Sequence, residues 1–342
     1  MNNSVVNNKV ILVAGGAGYI ASNLVNAIKD CSCTILRLDR PGVNFPPVAG
    51  KAIIKDIARD IRADNAWAGL LEGVDIIFYL AGQTSVYSAN NDPKADLELN
   101  VIPLINLLEA CRKHNFKPCI LFSSTVTISG VTEKIPVNES FPDNPVTIYD
   151  LHKSVAENYI KYYIKQGVLS GVILRLANVY GPGPKNSSSD RGILNLMVRK
   201  ALNSEGLTIY GDGNYLRDYI FVDDVIAAFI NGYANMDKCN GRHFVIGSGK
   251  GFRIADMVNL VAERARAKTG RGVNVEHIAP PEGLSGIEFR NFVADTTNFK
   301  QATGWLPKVC LAQGLDLTIG YYLNADNETG KINAPETDEP EK

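Results

Sequence analysis

The chain has 342 residues, 45% hydrophobic and 21% charged, with 35 Lys and Arg against 36 Asp and Glu. That length buries a large core in one domain or two. The formal net charge of −1 gives no field to gather nucleic acid or an anionic membrane surface, and no run approaches the ~20 apolar residues of a membrane span.

In chain order, Met1 to Asn8 is polar and lacks a signal-peptide core. Lys9 to Ala14 (KVILVA) follows as a short apolar run, suited to a strand buried on both faces. Gly15, Gly16 and Gly18 then permit a tight turn and close approach of backbone to a pyrophosphate. Ile20 to Ile28 has apolar residues at helical spacing, so the first turn of that helix aims free N–H groups and a partial positive charge at the phosphates. Ala21 stands where a third glycine is usual, which this fingerprint tolerates. A second apolar run, Cys33 to Leu38, ends at Asp39 about twenty residues past the glycines. A carboxylate there accepts hydrogen bonds from an adenosine ribose and repels a 2′-phosphate, which favours NAD; Arg40 beside it leaves NADP open.

Asp75 to Leu80, Cys119 to Phe122 and Val172 to Leu176 read as further buried parallel strands. Leu97 to Cys111 and Ile148 to Ile164 read as amphipathic helices between them. This alternation predicts an α/β, Rossmann-type doubly wound parallel sheet with helices on both faces, its ligands beyond the carboxyl ends of the strands. Gly15, Asp39, Ala81 and Ser123 all fall there. Within the second helix, Tyr149 and Lys153 stand four residues apart, so phenol and ammonium share one face.

After Tyr180 the texture changes to an irregular Gly/Pro/Ser stretch from Gly181 through Ser189. The expected organisation is a dinucleotide-binding domain over 1–177, with segments around 220–246 returning to it. A smaller C-terminal α/β substrate lobe over 178–324 and a disordered tail over 325–342 complete it. Cys31, Cys33, Cys111, Cys119, Cys239 and Cys310 lack zinc-type spacing and read as reduced thiols of a cytoplasmic protein. The four histidines are scattered, and no metal site is expected.

From about Val10 to Leu315 the chain resembles the extended short-chain dehydrogenase/reductase family, in its nucleotide-sugar epimerase/dehydratase branch. The family's TGGxGFIG appears as Ala14 to Ala21, its LAAxxSV loop as Leu80 to Val86, and its SSxxVYG as Ser123 to Gly130. Its YxxxK is Tyr149 and Lys153, its RxxNVYGP Arg175 to Pro182, its YGDGxxxRDYxxVDD Tyr210 to Asp224, and its LGWxPK Thr303 to Lys308. The resemblance implies NAD held by Gly15, Gly16, Gly18, Tyr19, Ile20, Asp39, Arg40, Asp56, Ile57, Leu80, Ala81, Gly82, Gln83, Asn100, Ser123, Tyr149 and Lys153. It implies catalysis by Thr125, Tyr149 and Lys153, with Ser124 as the fallback hydroxyl because one register slip exchanges it with Thr125. Tyr149, whose free pKa would be ~10, is expected to act as phenolate beside Lys153 and take the sugar's hydroxyl proton. A nucleotide-diphosphate sugar is expected against Ser85, Thr125, Asn178, Tyr210, Arg217 and Arg290, the arginine fork matching phosphate bidentately. Asp223 and Asp224 read as caps of a helix from Val225. By the same resemblance, the two long helices would pair into a four-helix homodimer interface.

Four positions depart from the family pattern. Ala14, Tyr79 and Ser129 replace a threonine, a histidine and a tyrosine without removing a reacting group. In Leu284 to Glu288 the family often carries Arg-Pro-Gly-Asp; here Ser285 falls near the arginine slot and Arg290 lies five residues on, which leaves the substrate's identity open. The leading expectation is NAD-dependent epimerisation at C4 through a transient 4-keto sugar. The alternatives are a 4,6-dehydratase, a decarboxylase, a 4-keto reductase, or a non-catalytic dinucleotide-binding protein. The dehydratases carry an Asp-Glu pair just after the active-site threonine, whereas Val126 and Thr127 follow Thr125.

Overall fold

A computed structural model describes residues 3–63, 65–183, 192–281, 283 and 285–329. Short apolar runs, most of them rich in β-branched side chains, become strands, and the segments with helical spacing become the helices that cover them. In chain order the first half contains β1 (Val10–Ala14), α1 (Tyr19–Ile28), β2 (Thr34–Asp39), β3 (Ile53–Ala58) and β4 (Ile76–Tyr79). Then come α2 (Val86–Asn91), α3 (Pro93–Asn100), α4 (Ile102–His114), β5 (Cys119–Thr125), α5 (Ile148–Lys165) and β6 (Ser170–Leu176). The second half contains β7 (Asn178–Tyr180), α6 (Ile193–Leu202), β8 (Leu207–Tyr210), β9 (Leu216–Phe221), α7 (Val222–Ala234), α8 (Met236–Cys239) and β10 (His243–Ile246). It ends with β11 (Gly251–Arg253), α9 (Ile254–Thr269), β12 (Val275–Ile278), α10 (Thr297–Thr303) and α11 (Leu311–Thr329).

Seven strands form one sheet in the order β10-β6-β5-β4-β1-β2-β3, and every pairing in it is parallel. The period of two divides each strand between two cores. Ile11, Val13, Ile76 and Phe78 pack with Leu24, Val25 of α1 and Ile226, Phe229 of α7. Leu12, Ala14, Ile77 and Tyr79 pack with Leu104, Leu108 of α4 and Ala156, Ile160 of α5. After β6 the chain leaves this sheet: β7 pairs with β9, and β9 with β11. A third core, under α6, α9 and α11, is built from Val198, Met257, Val261, Leu315 and Ile319. The chain then returns, with α7 on the large sheet's face and β10 paired to β6 at its edge.

Several sequence expectations change. The helix read as one piece over Leu97 to Cys111 is two, α3 and α4, meeting at Val101. Pro103 lacks the N–H that an unbroken helix would donate to residue 99, and its ring crowds that carbonyl. Strand β3 was not anticipated; it lies at the sheet edge, largely exposed, and Lys55 and Asp56 interrupt any apolar run. The tail expected beyond Asn324 stays helical to Thr329, and its remainder, 330–342, lies outside the described residues, as do 184–189 of the Gly/Pro/Ser stretch and Leu284. No helix among the described residues is long and apolar enough to cross a membrane.

Candidate active site

The glycine loop is locked to its neighbours by backbone. Gly15 N–H and Gly16 N–H both donate to the Leu38 carbonyl at 2.9 Å, and Gly18 N–H returns to Gly15 O at 2.9 Å. Gly15 sits at φ +79°, where a Cβ would come 2.8 Å from the Ala81 nitrogen. A Cβ on Gly16 would lie 2.7 Å from that of Arg37. Ser22 N–H to Gly18 O is the first bond of α1, so the N–H groups of Tyr19, Ile20 and Ala21 precede the intrahelical ladder and point from the helix end. The Tyr19 ring turns away, its edge against Gly183. Asp39 closes the loop: one carboxylate oxygen accepts from Ala17 N–H at 3.0 Å, the other from Arg40 N–H at 2.8 Å. Arg40 itself is exposed. Asp56, beside half-buried Ile57, is held by Arg37 through two bonds of 2.6 and 2.8 Å.

The loop after β4 forms the facing wall. Leu80 N–H extends the sheet to Ala14 O at 2.9 Å. A Cβ on Gly82 would come 2.5 Å from Asn100 Oδ1, which is buried without a partner. The Asn100 amide donates to Gln83 O at 3.1 Å and Asp96 Oδ1 at 2.9 Å, and Gln83 Nε2 donates to Asp96 Oδ1 at 2.9 Å. Asp96 Oδ2 meets His152 Nδ1 of α5 at 2.7 Å. Ser85, buried, caps α2 by accepting from Ser88 N–H at 3.1 Å. Neither Asp96 nor His152 stood out in sequence, since a lone Asp and a lone His on two helices carry no spacing signal.

Opposite the loop, three consecutive residues at the end of β5 are stitched to α5. Lys153 Nζ donates to Ser123 O at 2.7 Å. Ser124 Oγ donates to Glu157 Oε1 at 2.5 Å. Thr125 Oγ1 lies 2.7 Å from Thr127 Oγ1, which donates to Asp150 Oδ1. This corrects the place of Ser124, the fallback hydroxyl. It belongs to an ion cluster in which buried Arg175 bridges buried Glu157, at 2.7 and 2.9 Å, and exposed Asp143, at 2.6 and 2.9 Å. Burial opposes ionisation of Glu157, but Arg175 outweighs it and holds the carboxyl below its usual range. Strand alternation separates the two hydroxyls that the register left interchangeable.

Tyr149, partly exposed, lies one turn ahead of Lys153 on α5. Burial pushes Lys153 down to about 8, against the raising influence of Glu157 and Asp96, and its ammonium stands 4.4 Å over the Phe122 ring. Below that pH it is a cation within one helical turn of the phenol, an arrangement that favours phenolate.

On the other side, Asn178 Nδ2 donates to Asp218 O at 2.9 Å, and Tyr210, at the end of β8, is half exposed. Arg217 is buried, with Nη2 on Glu288 O at 2.7 Å and Nη1 on the carbonyls of Leu216, at 3.1 Å, and Arg290. Arg290 is buried beside it, donating to Ile287 O at 2.7 Å while its Nε has no partner. Burial and the Arg217 charge push Arg290 down to about 10. The two arginines therefore converge, although Arg290 is out of the family's usual register. Asp223 and Asp224 lie inside α7, which begins at Val222 rather than Val225. Asp224 instead accepts from Lys308 and Val309 N–H, each at 3.0 Å, anchoring the Trp305–Pro307 segment.

The cradle fits a dinucleotide: side-chain-free glycines where backbone approaches backbone, three N–H groups at a helix end, and an unpartnered buried acceptor in Asn100. A parallel sheet whose strand ends carry this loop and a Tyr–Lys pair defines a Rossmann-type redox enzyme of the extended short-chain class. The chain belongs to the NAD-dependent epimerase/dehydratase family, whose sequence model matches residues 11–247, and its cofactor is NAD. It is 27% identical over 321 residues to a putative UDP-glucose 4-epimerase of Methanocaldococcus jannaschii, covering 92% of this chain and 99% of the relative. It is 29% identical over 318 residues to the UDP-glucose 4-epimerase of Mycolicibacterium smegmatis, covering 92% and 98%. Among solved structures, UDP-glucose 4-epimerase of Thermotoga maritima with UDP-glucose superposes with a TM-score of 0.79 at 29% identity, covering 92% of this chain and 99% of that one. The Thermus thermophilus UDP-glucose 4-epimerase–NAD complex gives 0.78 at 26%, with the same coverage.

Proposed function

We propose that the chain interconverts C4 epimers of a nucleotide-diphosphate sugar, UDP-glucose and its epimer being the first pair to test. The observation that carries this reading is the seam between β5 and α5. It fixes Lys153 on the Ser123 carbonyl, one turn from Tyr149, with Thr125 two residues further along the same strand. The relatives named above act on such a sugar, and Val126 and Thr127 leave no carboxylate pair for a dehydratase's water elimination.

In this reading Gly15, Gly16, Gly18 and the N–H groups of Tyr19 and Ile20 hold the pyrophosphate. Asp39 takes the adenosine ribose, with Arg40 beside it. Asp56 and Ile57 flank the adenine, and Leu80 to Gln83, Asn100, Ser123 and Lys153 line the nicotinamide half. When bound, NAD would supply the hydride acceptor and donor for the sugar carbon. Tyr149 accepts the C4 hydroxyl proton and later returns it, Lys153 keeps the phenol acidic, and Thr125 hydrogen-bonds the same oxygen. Ser85 borders the sugar. Asn178, Tyr210, Arg217 and Arg290 hold the nucleotide diphosphate, Arg217 after exchanging its carbonyl partners in the 286–290 turn for phosphate oxygens.

Leu151, Tyr159 and Tyr162 form an exposed stripe along α5, and Leu99 is exposed on α3. An apolar stripe on these helices supports a homodimer through a four-helix bundle. A cytoplasmic location accords with the predominantly buried, unbridged cysteines.

The reading is tested by incubating the purified protein, without added cofactor, with UDP-, dTDP-, CDP- and GDP-linked sugars and resolving products by proton NMR. A C4 epimer without net NADH is expected; a 4-keto or decarboxylated product would assign a sister reaction. Asp39→Ala is expected to raise the NADP-to-NAD preference about tenfold, because like charges near a surface repel by on the order of 1–4 kcal/mol at contact distance. Unchanged selectivity in equilibrium binding would remove Asp39 from the ribose site.

A further inference from the structure

Asp150 follows Tyr149 directly, is completely buried, and plays no part in the mechanism above. As the third residue of α5 it stands where a carboxylate ordinarily serves the helix start. One oxygen meets that need: Asp150 Oδ2 accepts from the capping Thr147 hydroxyl at 2.7 Å. The other is directed inward and accepts from Thr127 Oγ1, which lies 2.7 Å from Thr125 Oγ1. Two hydroxyls thus connect a buried carboxylate to the side chain placed at the reacting oxygen.

The inventory of donors fixes the direction of this chain. An ionised Asp150 only accepts, so the Thr127 hydrogen points to it and Thr127 must accept from Thr125. Thr127 N–H occupies one Thr125 lone pair at 3.2 Å. Thr125 then offers its remaining lone pair to a sugar hydroxyl. With a proton on Asp150 every bond reverses, and Thr125 becomes a donor, as a ketone oxygen requires.

We propose that Thr127 and Asp150 form a hydroxyl relay behind Thr125, giving the reacting sugar oxygen a second proton path beside Tyr149. The inference rests on the epimerase reading above. Through the relay, the sugar hydroxyl proton passes to Thr125 Oγ1, the proton of Thr125 to Thr127 Oγ1, and that of Thr127 to Asp150 Oδ1. Three O–H bonds break and three form, and the negative charge moves from Asp150 to the sugar oxygen. The reverse transfer restores the hydroxyl. Burial raises the Asp150 carboxyl above its usual range, with Thr127, Thr147 and the Arg290 charge opposing, which makes it a better proton holder than an exposed aspartate. Thr127 and Asp150 act through Thr125 and are positioning residues. Both stood inside quoted motifs, but neither spacing disclosed that they meet.

The test is steady-state kinetics of the full chain with UDP-glucose, or with whichever nucleotide sugar the wild type converts, for Thr127→Val, Thr127→Ser and Asp150→Asn. Thr127→Val should lower kcat at least about tenfold, less than the roughly 10²- to 10⁴-fold of a group that itself takes the proton because Tyr149 keeps the other path, with KM within about twofold. Thr127→Ser should recover most of the loss, and Asp150→Asn, near-isosteric but unable to take the proton, should match Thr127→Val. In a Tyr149→Phe background, Thr127→Val should reduce the residual turnover further. A Thr127→Val kcat within twofold of wild type, a serine variant as impaired as the valine, or a loss confined to KM would overturn the relay while leaving the epimerase reading intact. A wild type that converts no nucleotide sugar would instead bring down that reading, and the relay with it.

Discussion

Tyr149→Phe should leave a folded protein that retains NAD and binds nucleotide sugar, with kcat lowered by roughly 10²- to 10⁴-fold, the span that a positioned acid–base group contributes. The substitution removes one hydroxyl from a partly exposed residue and keeps the ring. The supports of α5, from Lys153 to Ser123 O and from Glu157 to Ser124 and Arg175, do not pass through that oxygen. The loss should therefore fall on kcat with little change in KM, the signature of an interaction made in the transition state. Near wild-type turnover would take Tyr149 out of the chemistry.

Gly15→Ala should abolish stable retention of NAD. The methyl would lie 2.8 Å from the Ala81 nitrogen and 2.9 Å from its Cα, in a backbone held at φ +79°. Left-handed backbone costs a non-glycine residue about 1–2 kcal/mol. The clash comes on top, and both walls are backbone that cannot rotate aside. Relief requires the loop to separate from the Leu80–Gln83 wall, and that separation opens the cradle. Equilibrium binding of NAD, with circular dichroism to confirm the fold, checks it; unchanged affinity would show that the loop does not touch the dinucleotide.

The sheet was legible because buried parallel strands leave apolar runs, and the loops at their ends leave glycines and an aspartate. Even the return of Val222 to Ala234 and His243 to Ile246 was visible as apolar segments after the irregular stretch. Edge strand β3 was hidden, since four of its six residues are exposed and no apolar run forms. The break at Val101 was written in Pro103 but was outweighed by the apolar periodicity on either side. Among the candidate residues, Tyr149 and Lys153 were marked by their local spacing, and Thr125 by its place in the family motif. The links from Ser124 to Glu157, Asp96 to His152 and Thr127 to Asp150 were not, because each joins residues 23 to 56 apart whose meeting depends on how α5 seats on the sheet. The roles of Asp223 and Asp224 were misread for a related reason: two carboxylates before an apolar helix look like caps, while the acceptor needs of the Lys308–Val309 backbone lie far along the chain.

In the proposed reaction a hydride leaves C4 and returns to the same carbon on the opposite face. Incubating the protein with UDP-glucose deuterated at C4, or the matching labelled form of whichever sugar proves to be the substrate, tests it most directly. A C4 epimer that keeps its deuterium at C4 in ordinary water, with no free reduced cofactor, is expected. An epimer whose label has washed into solvent would contradict it, because the carbon-bound hydrogen would then have left as a proton.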